Sequence, residues 1–427
     1  MKRIIATIAL IAILISMTTL GTLSASAAAT DWIKRDPVEG VDYSFAVLGD
    51  IQTITFKDAH NDSKYVETLV DWLINNREER KIEYVVGLGD TVETLISRAH
   101  GPEYNPAEWQ LAGPQLARLV DAGIPTMVLR GNHDDEAGYH QHICTEPYQA
   151  QMDGFCYDAE KTATHGNSMS NCYRKIEIGN HKYLMLGLDY SAWDDAEVIA
   201  WASELVESNP DYKVILSIHA YLNSNGSFYK GEIGSSSADG SVQEELNFNA
   251  QTLWGEFVSK YENMFMVLCG HAAVTDPMRR VTAGKNGNKV YKILVDSQAY
   301  EKNDPSSFVF MLNFVDGGSA IEIEYLSATK NRHFKEGNQM RLDLPEGTLP
   351  KFELPVVTEP TTEATTAEIT SAETTAAPAT EADTTVATTL EQAPQKSGCG
   401  GSISATVAVC CAMGTCLAAF AMRRKED

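Results

Sequence analysis

Positive charge is scarce in this chain. Lys and Arg total 34 against 58 Asp and Glu, a formal net charge of -24. Such a surface repels a phosphate backbone, which excludes nucleic acid as a stable partner. Small phosphate esters stay open, because a bound cation can hold them on an acidic protein. Cysteine is sparse, with 8 in 427 residues, and four of these come at or after Cys399. Cys144, Cys156 and Cys172 share a loop-rich region where one disulfide could form in an exported protein, with no pairing fixed by spacing. Cys269 ends an apolar run and is expected as a buried thiol. No repeat at solenoid spacing occurs.

Long apolar runs are missing except at the two ends. Lys2 and Arg3, the apolar Ile4 to Ile15 and the small residues Ala25-Ser26-Ala27 make residues 1–28 an expected signal peptide. Residues 402–422 are apolar or small and long enough to cross a bilayer as a helix, so a transmembrane anchor is expected there. Arg423-Arg424-Lys425 then places 423–427 as a basic cytoplasmic tail. No Leu-Pro-x-Thr-Gly block appears, which argues against sortase cleavage. From 356 to 397 aromatic residues vanish, and Thr, Ala, Glu and Pro dominate. Such a segment cannot offset its ordering entropy and is expected to be a disordered stalk. These patterns imply an exported protein, anchored to the cell membrane with its globular part outside. The oligomeric state is not legible.

The globular part spans 41–350. Apolar runs at Phe45–Leu48, Tyr84–Leu88 and Pro125–Leu129 predict strands. Between them, Lys64–Arg80 and Trp109–Ala122 have helical spacing. This alternation implies a parallel α/β sheet with ligands beyond the carboxyl ends of its strands. Tyr173–Leu188 reads as a hairpin turning at Gly179-Asn180. Further helices are expected at Trp193–Ser208 and Phe248–Tyr261. Further strands are expected at Lys213–Ile218, Phe265–Cys269, Val290–Val295 and within Val309–Leu326.

Five polar blocks end these apolar runs: Gly49-Asp50-Ile51-Gln52, Gly89-Asp90, Gly131-Asn132-His133-Asp134, His219 and Gly270-His271. Carboxylates, an amide and imidazoles brought to strand ends are the ligand chemistry of a divalent-metal site. Alone, an Asp after a strand is more often a helix cap and a His more often a satisfied core residue. The ordered set reverses that preference for Asp50, Asp90, Asn132, His133, His219 and His271. Gln52 is evenly balanced. Arg130 reads equally as a phosphate contact and as a structural ion pair, and Asp134 reads as a loop anchor.

These blocks resemble the calcineurin-like metallophosphoesterase superfamily, over nearly all of the globular part. Trp201-Ala202, His219-Ala220-Tyr221-Leu222 and the run from Val290 to Gln298 resemble a secreted bacterial branch. The resemblance implies a two-sheet β-sandwich flanked by helices and a pair of metals bridged by Asp90. Asn132, His219 and His271 would complete one metal position. Asp50, residue 52 and a second His would complete the other. His133 would be the general acid, while water activated by the metal attacks phosphorus. The implied activity is metal-dependent hydrolysis of a phosphate mono- or diester, with Mn, Fe or Zn as cofactor.

Two departures qualify this. Gln52 replaces one expected His, and Ala273 replaces the other. Either the weaker position takes a harder ion such as Mn or Mg, or it is partly empty and one tight metal remains. The loss of both imidazoles motivates a competing reading, a surface binding module that kept the fold without turnover. A purple acid phosphatase would need Tyr three residues after Asp90, where Glu93 stands. Asp296 and Gln298 are expected to be structural.

Overall fold

The computed structural model describes residues 31–55, 64–93, 106–156, 169–236 and 242–351. The expected signal peptide, stalk, transmembrane anchor and tail lie outside the described residues. Among those described, no helix is long and apolar enough to cross a membrane.

Two mixed sheets form the centre. The first joins β1 (Trp32–Ile33), β2 (Val41–Leu48), β3 (Ile82–Gly87), β4 (Thr126–Val128), β14 (Phe308–Val315), β15 (Ala320–Ser327), β16 (Arg332–Phe334) and β17 (Met340–Asp343). Its order is β1-β16-β15-β14-β2-β3-β4, with β17 also paired to β15. The second joins β5 (Gly154–Phe155), β6 (Cys172–Ile178), β7 (His181–Leu188), β8 (Lys213–Ile218), β11 (Met264–Cys269), β12 (Met278–Ala283) and β13 (Lys289–Leu294) in the order β12-β13-β11-β8-β7-β6-β5. A separate ribbon pairs β9 (Lys230–Ser236) with β10 (Val242–Asn249).

The sheets share one core. Phe45 of β2 and Phe314 of β14 meet Tyr183 of β7 with ring centroids 5.3 and 5.5 Å apart. The buried hydroxyls of Tyr43 and Tyr183 share a hydrogen bond of 2.7 Å, so the phenol oxygens keep partners inside the apolar layer. Helices Lys64–Asn75 and Pro106–Asp121 pack Val66, Leu69, Leu73, Leu116 and Leu119 into the same core. On the far side, helices Ala196–Glu207 and Ala250–Glu256 bury Val198, Val206 and Leu253 with Leu184, Leu216 and Ile218. In β8, Ile215 joins the inter-sheet core while Val214, Leu216 and Ile218 join the outer one. A strand buried on both faces reads as an unbroken apolar run, which is why its bounds were legible.

The expected two-sheet architecture is therefore present, with parallel pairing of β2 to β3 and β3 to β4. The hairpin turns where expected, with Gly179 at φ 58 and Asn180 at φ 64. Two positive φ values in a two-residue loop match the twist of the flanking strands.

Several bounds differ from expectation. The helix expected to reach Arg80 stops at Asn75, because its apolar series ends at Ile74 and beyond it only Arg80 of Arg77-Glu78-Glu79-Arg80 is buried. The helix expected from Trp193 begins at Ala196, since the Asp195 side chain caps it by accepting from the amides of Glu197 and Val198. The helix expected from Phe248 begins at Ala250: Phe248 lies within β10, and Asn249, its last residue, caps the helix by accepting from the Gln251 amide. Cys172 and Cys269 are buried thiols, so the disulfide expected in the loop-rich region does not take Cys172. The ribbon β9–β10 was not legible.

A buried polar chain ties the first sheet together. The Ser44 hydroxyl donates to Asn313 at 2.7 Å, and the Asn313 amide donates to Glu324 at 2.9 Å. Glu324 also receives Arg80 at 2.9 Å and contacts His333 at 2.6 Å. Burial would raise the Glu324 carboxyl, but His333 and Arg80 hold it below its ordinary value. Its stabilisation is present above the unfolded value and lost as pH falls through the lower folded one. Glu324→Gln, which leaves Arg80 buried without its carboxylate, is expected to cost about 3–5 kcal/mol near neutral pH. The deficit should shrink on acidification. Urea unfolding at several pH values checks this, and equal midpoints at neutral pH would refute it.

Candidate metal centre

The polar blocks meet because the strands that carry them end together. Asp50, Asp90 and Asn132 follow β2, β3 and β4, which run parallel. His219, His271 and Asp296 follow β8, β11 and β13, which are also parallel. Backbone hydrogen bonds lock the loops: the Gln52 amide donates to the Asp90 carbonyl at 2.9 Å, and the Gly270 amide to the His219 carbonyl at 2.8 Å. Glycine is required at two approaches. A Cβ on Gly131 would lie 2.2 Å from Asp90 Oδ1, and one on Gly270 would lie 2.0 Å from Asp50 Oδ1.

One half of the centre matches its expected ligands. Asn132 Oδ1 lies 3.1 Å from His219 Nε2 and 2.9 Å from His271 Nδ1. His219 Nε2 lies 3.3 Å from Asp90 Oδ1. These are the separations expected between neighbouring ligands about 2.1 Å from one ion. Ligand atoms of Asp90, His219 and His271 all lie within 4.8 Å of one another. His219 Nδ1 donates to the Leu88 carbonyl at 2.8 Å, which aims Nε2 inward. Tyr229 packs edge-on to His271, with centroids 4.8 Å apart, and fixes that ring. Asp90 at φ 50 and His271 at φ 69 occupy the left-handed region that L-residues avoid, a strain held by the surrounding packing.

The electrostatics divide this half cleanly. Burial alone would raise Asp90, but His219, His133 and His271 hold it well below the carboxylate range. Burial and the neighbouring His219 push His271 down to about 3, which keeps its ring neutral with a lone pair to give. Burial opposes charge on His219, but Asp90 raises it. A neutral amide, two imidazoles and an ionised carboxylate fit a divalent first-row metal.

The other half also comes together, with different neighbours. Asp50 accepts from the His271 amide at 2.9 Å, and burial, Asp296 and Asp90 raise its carboxyl well above the ordinary range. Gln52 is buried and its Nε2 donates to Asp90 Oδ2 at 3.3 Å. Ala273 is solvent-exposed and brings no side-chain ligand.

His133 stands at the rim, with its side chain 23% exposed and Nε2 3.9 Å from Asp90 Oδ2. Its Nδ1 forms an ion pair with the buried Glu93 carboxylate. Burial would lower the ring, but Asp90 and Glu93 raise it to about 9. No spacing or motif signalled this role for Glu93. Asp134 is the loop anchor expected: it accepts from the amides of Thr91, Val92 and Gly131 at 2.8, 3.0 and 2.9 Å. Arg130 resolves as structural, since it binds Asp189 in bidentate fashion at 2.8 and 3.0 Å.

A family model for the calcineurin-like phosphoesterases matches residues 43–274, more than half of the chain. The chain belongs to that family. It is 25% identical over 332 residues to "Uncharacterized protein YvnB" of Bacillus subtilis (strain 168), covering 73% of this chain and 23% of that protein. The chain thus spans less than a quarter of that relative's length. Similar solved structures include a dimetal phosphatase from Danio rerio, with TM-score 0.42 and 11% identity over 71% of this chain and 100% of that one. A purple acid phosphatase from yellow lupin seeds has TM-score 0.41 and 15% identity over 73% of this chain and 55% of that one.

The pairing of His133 with Glu93 gives a direct expectation. Glu93→Gln removes the charge beside Nδ1, so the imidazolium should lose its proton at lower pH than in the parent. NMR titration of the His133 ring in metal-free protein measures this. An unchanged midpoint would show that Glu93 does not hold the ring charged.

Proposed function

We propose that this protein hydrolyses a phosphate mono- or diester through a metal centre built on Asp90, Asn132, His219 and His271, with His133 as general acid. The convergence of those four ligand atoms, with a protonated imidazole beside them, carries the reading. Membership of the family supports metal-dependent phosphoester hydrolysis in general terms, and the residue roles and ester class go further.

A bound divalent cation supplies a Lewis acid that neutralises phosphate charge and lowers the pKa of water. The protein's own groups do the rest. Asp90, Asn132, His219 and His271 fix where the phosphate is held. Glu93 keeps Nδ1 of His133 protonated and leaves Nε2 facing the centre, 3.9 Å from Asp90 Oδ2. From there Nε2 can pass its proton to the oxygen of the leaving alcohol, a step worth roughly 10²–10⁴-fold in rate. Asp134 holds the loop that carries Asn132 and His133. Activity should therefore fall as pH rises through the His133 value. That value lies at or below about 9, because a cation nearby favours the neutral ring.

Metal content of the purified chain and turnover of chromogenic mono- and diesters with Mn test the proposal. Asn132→Ala is expected to reduce turnover about 100-fold or more through weakened metal binding. Metal binding with no turnover of either ester beyond the Asn132→Ala background would favour the binding-module reading.

The surface setting belongs to the same reading and is supported by the sequence patterns at 1–28 and 402–422. Full-length protein should fractionate with membranes, and recovery in the soluble medium would argue against an anchor.

A further inference from the structure

The first half of the centre uses imidazoles, while the second lacks both that the family pattern expects. The second half nevertheless forms a ring of oxygen-bearing side chains. Asp296 lies near enough to Asp50 for its charge to raise the Asp50 carboxyl. Asp296 Oδ2 accepts from Gln298 Nε2 at 2.9 Å. Gln298 Oε1 accepts from Gln52 Nε2 at 3.3 Å, and that same nitrogen lies 3.3 Å from Asp90 Oδ2. Polar contacts thus run from Asp296 through Gln298 and Gln52 to Asp90, with Asp50 beside Asp296.

The backbone is built to bring Asp296 there. Position 49 must be glycine, since a Cβ would lie 2.5 Å from the Val295 carbonyl oxygen and 3.3 Å from Asp296 Cα. The end of β13 therefore presses against the residue before Asp50. The Val274 amide donates to the Asp296 carbonyl at 3.0 Å. That amide follows Ala273, the position of the missing imidazole. The short helix Gln298–Glu301 begins as Asp296 Oδ1 accepts from the Gln298 amide at 3.0 Å, which fixes both side chains.

A second observation points to a ligand. Gln52 is fully buried, yet its Oε1 has no hydrogen-bond partner. A buried amide oxygen without a partner costs about 1–3 kcal/mol. The two ends of an amide are assigned from their partners. Turning this one puts oxygen where Nε2 stands, 3.3 Å from both Asp90 Oδ2 and Gln298 Oε1. Three oxygens so placed repel one another unless a cation lies among them.

We infer that Asp296 and Gln298 replace the two absent imidazoles, making the second position an all-oxygen site for a hard divalent cation of the Mn or Mg class. The inference rests on the metal-dependent reading above. Asp296 adds a negative charge where an imidazole would add none. Gln298 adds an amide oxygen and steers Gln52. Carboxylates and amide oxygens favour Mn and Mg over the softer ions that imidazole suits.

The test uses the full chain stripped of metal and titrated with Mn, read by bound-metal analysis and by the electron paramagnetic resonance signature of two coupled Mn ions. The parent should bind two equivalents and show the coupled signal. Asp296→Asn keeps the shape and the Oδ1 acceptor but removes the charge. It should retain one equivalent, bind the second about 10–100-fold more weakly and lose the coupled signal at equal Mn. Gln298→Ala should do the same from the other side of the ring, guarding against misfolding of one variant. Two equivalents of unchanged affinity in both variants would overturn the inference, as would a parent that binds only one. A parent that binds no Mn at all would instead bring down the underlying metal-dependent reading.

Discussion

One buried carboxylate organises this molecule's chemistry. Asp90 is only 1% exposed and held at a positive φ, conditions that would ordinarily drive an acid neutral and a backbone elsewhere. Three imidazoles and the His133 amide, which donates to Oδ1 at 2.9 Å, keep it charged instead. Its two oxygens face different neighbours: Oδ1 lies beside His219, while Oδ2 receives Gln52. A single residue therefore belongs to both halves of the centre. The fold must bring six strand ends within reach of it, and the close approaches at Gly49, Gly131 and Gly270 are the steric consequence.

The surrounding charges are arranged so that this concentration of acid does not unravel the loops. Asp134 spends its oxygens on three backbone amides, which anchors the loop from within. Arg130 is committed to Asp189 and stacked near Tyr190, 5.0 Å from the ring, so it is not available to a substrate. Glu93 acts on a rim residue, His133, with which its buried carboxylate forms an ion pair. Charge placed on a partly exposed ring can be exchanged with a substrate; charge placed on a buried ion pair cannot.

The fold was legible where burial imposed a period or an unbroken run. β8 was bounded correctly from Lys213 to Ile218 because both its faces are covered. The hairpin was legible because Gly179-Asn180 is a turn pair between two strand-forming runs. The first half of the site was legible because each ligand directly ends such a run. Glu93 was not, since its effect depends on a loop contact with His133 that no spacing encodes. Asp296 and Gln298 were assigned a structural role because their partners lie far off in sequence, Gln298 and Gln52 being 246 residues apart. The β9–β10 ribbon escaped notice because Lys-Gly-Glu-Ile-Gly-Ser-Ser offers one large apolar residue and no alternation.

The two halves of the centre differ in more than ligand count. Around His219 and His271 the ring nitrogens are positioned by a carbonyl and by aromatic packing, so the geometry exists before a metal arrives. Around Asp50 and Asp296 the acceptors crowd one another, and their carboxyls rise above the usual range because burial and mutual charge disfavour ionisation, Asp296 to about 6. A cation there would relieve the repulsion among these oxygens. Replacing two neutral rings with an acid and an amide thus trades a nitrogen site for an oxygen site of higher negative charge.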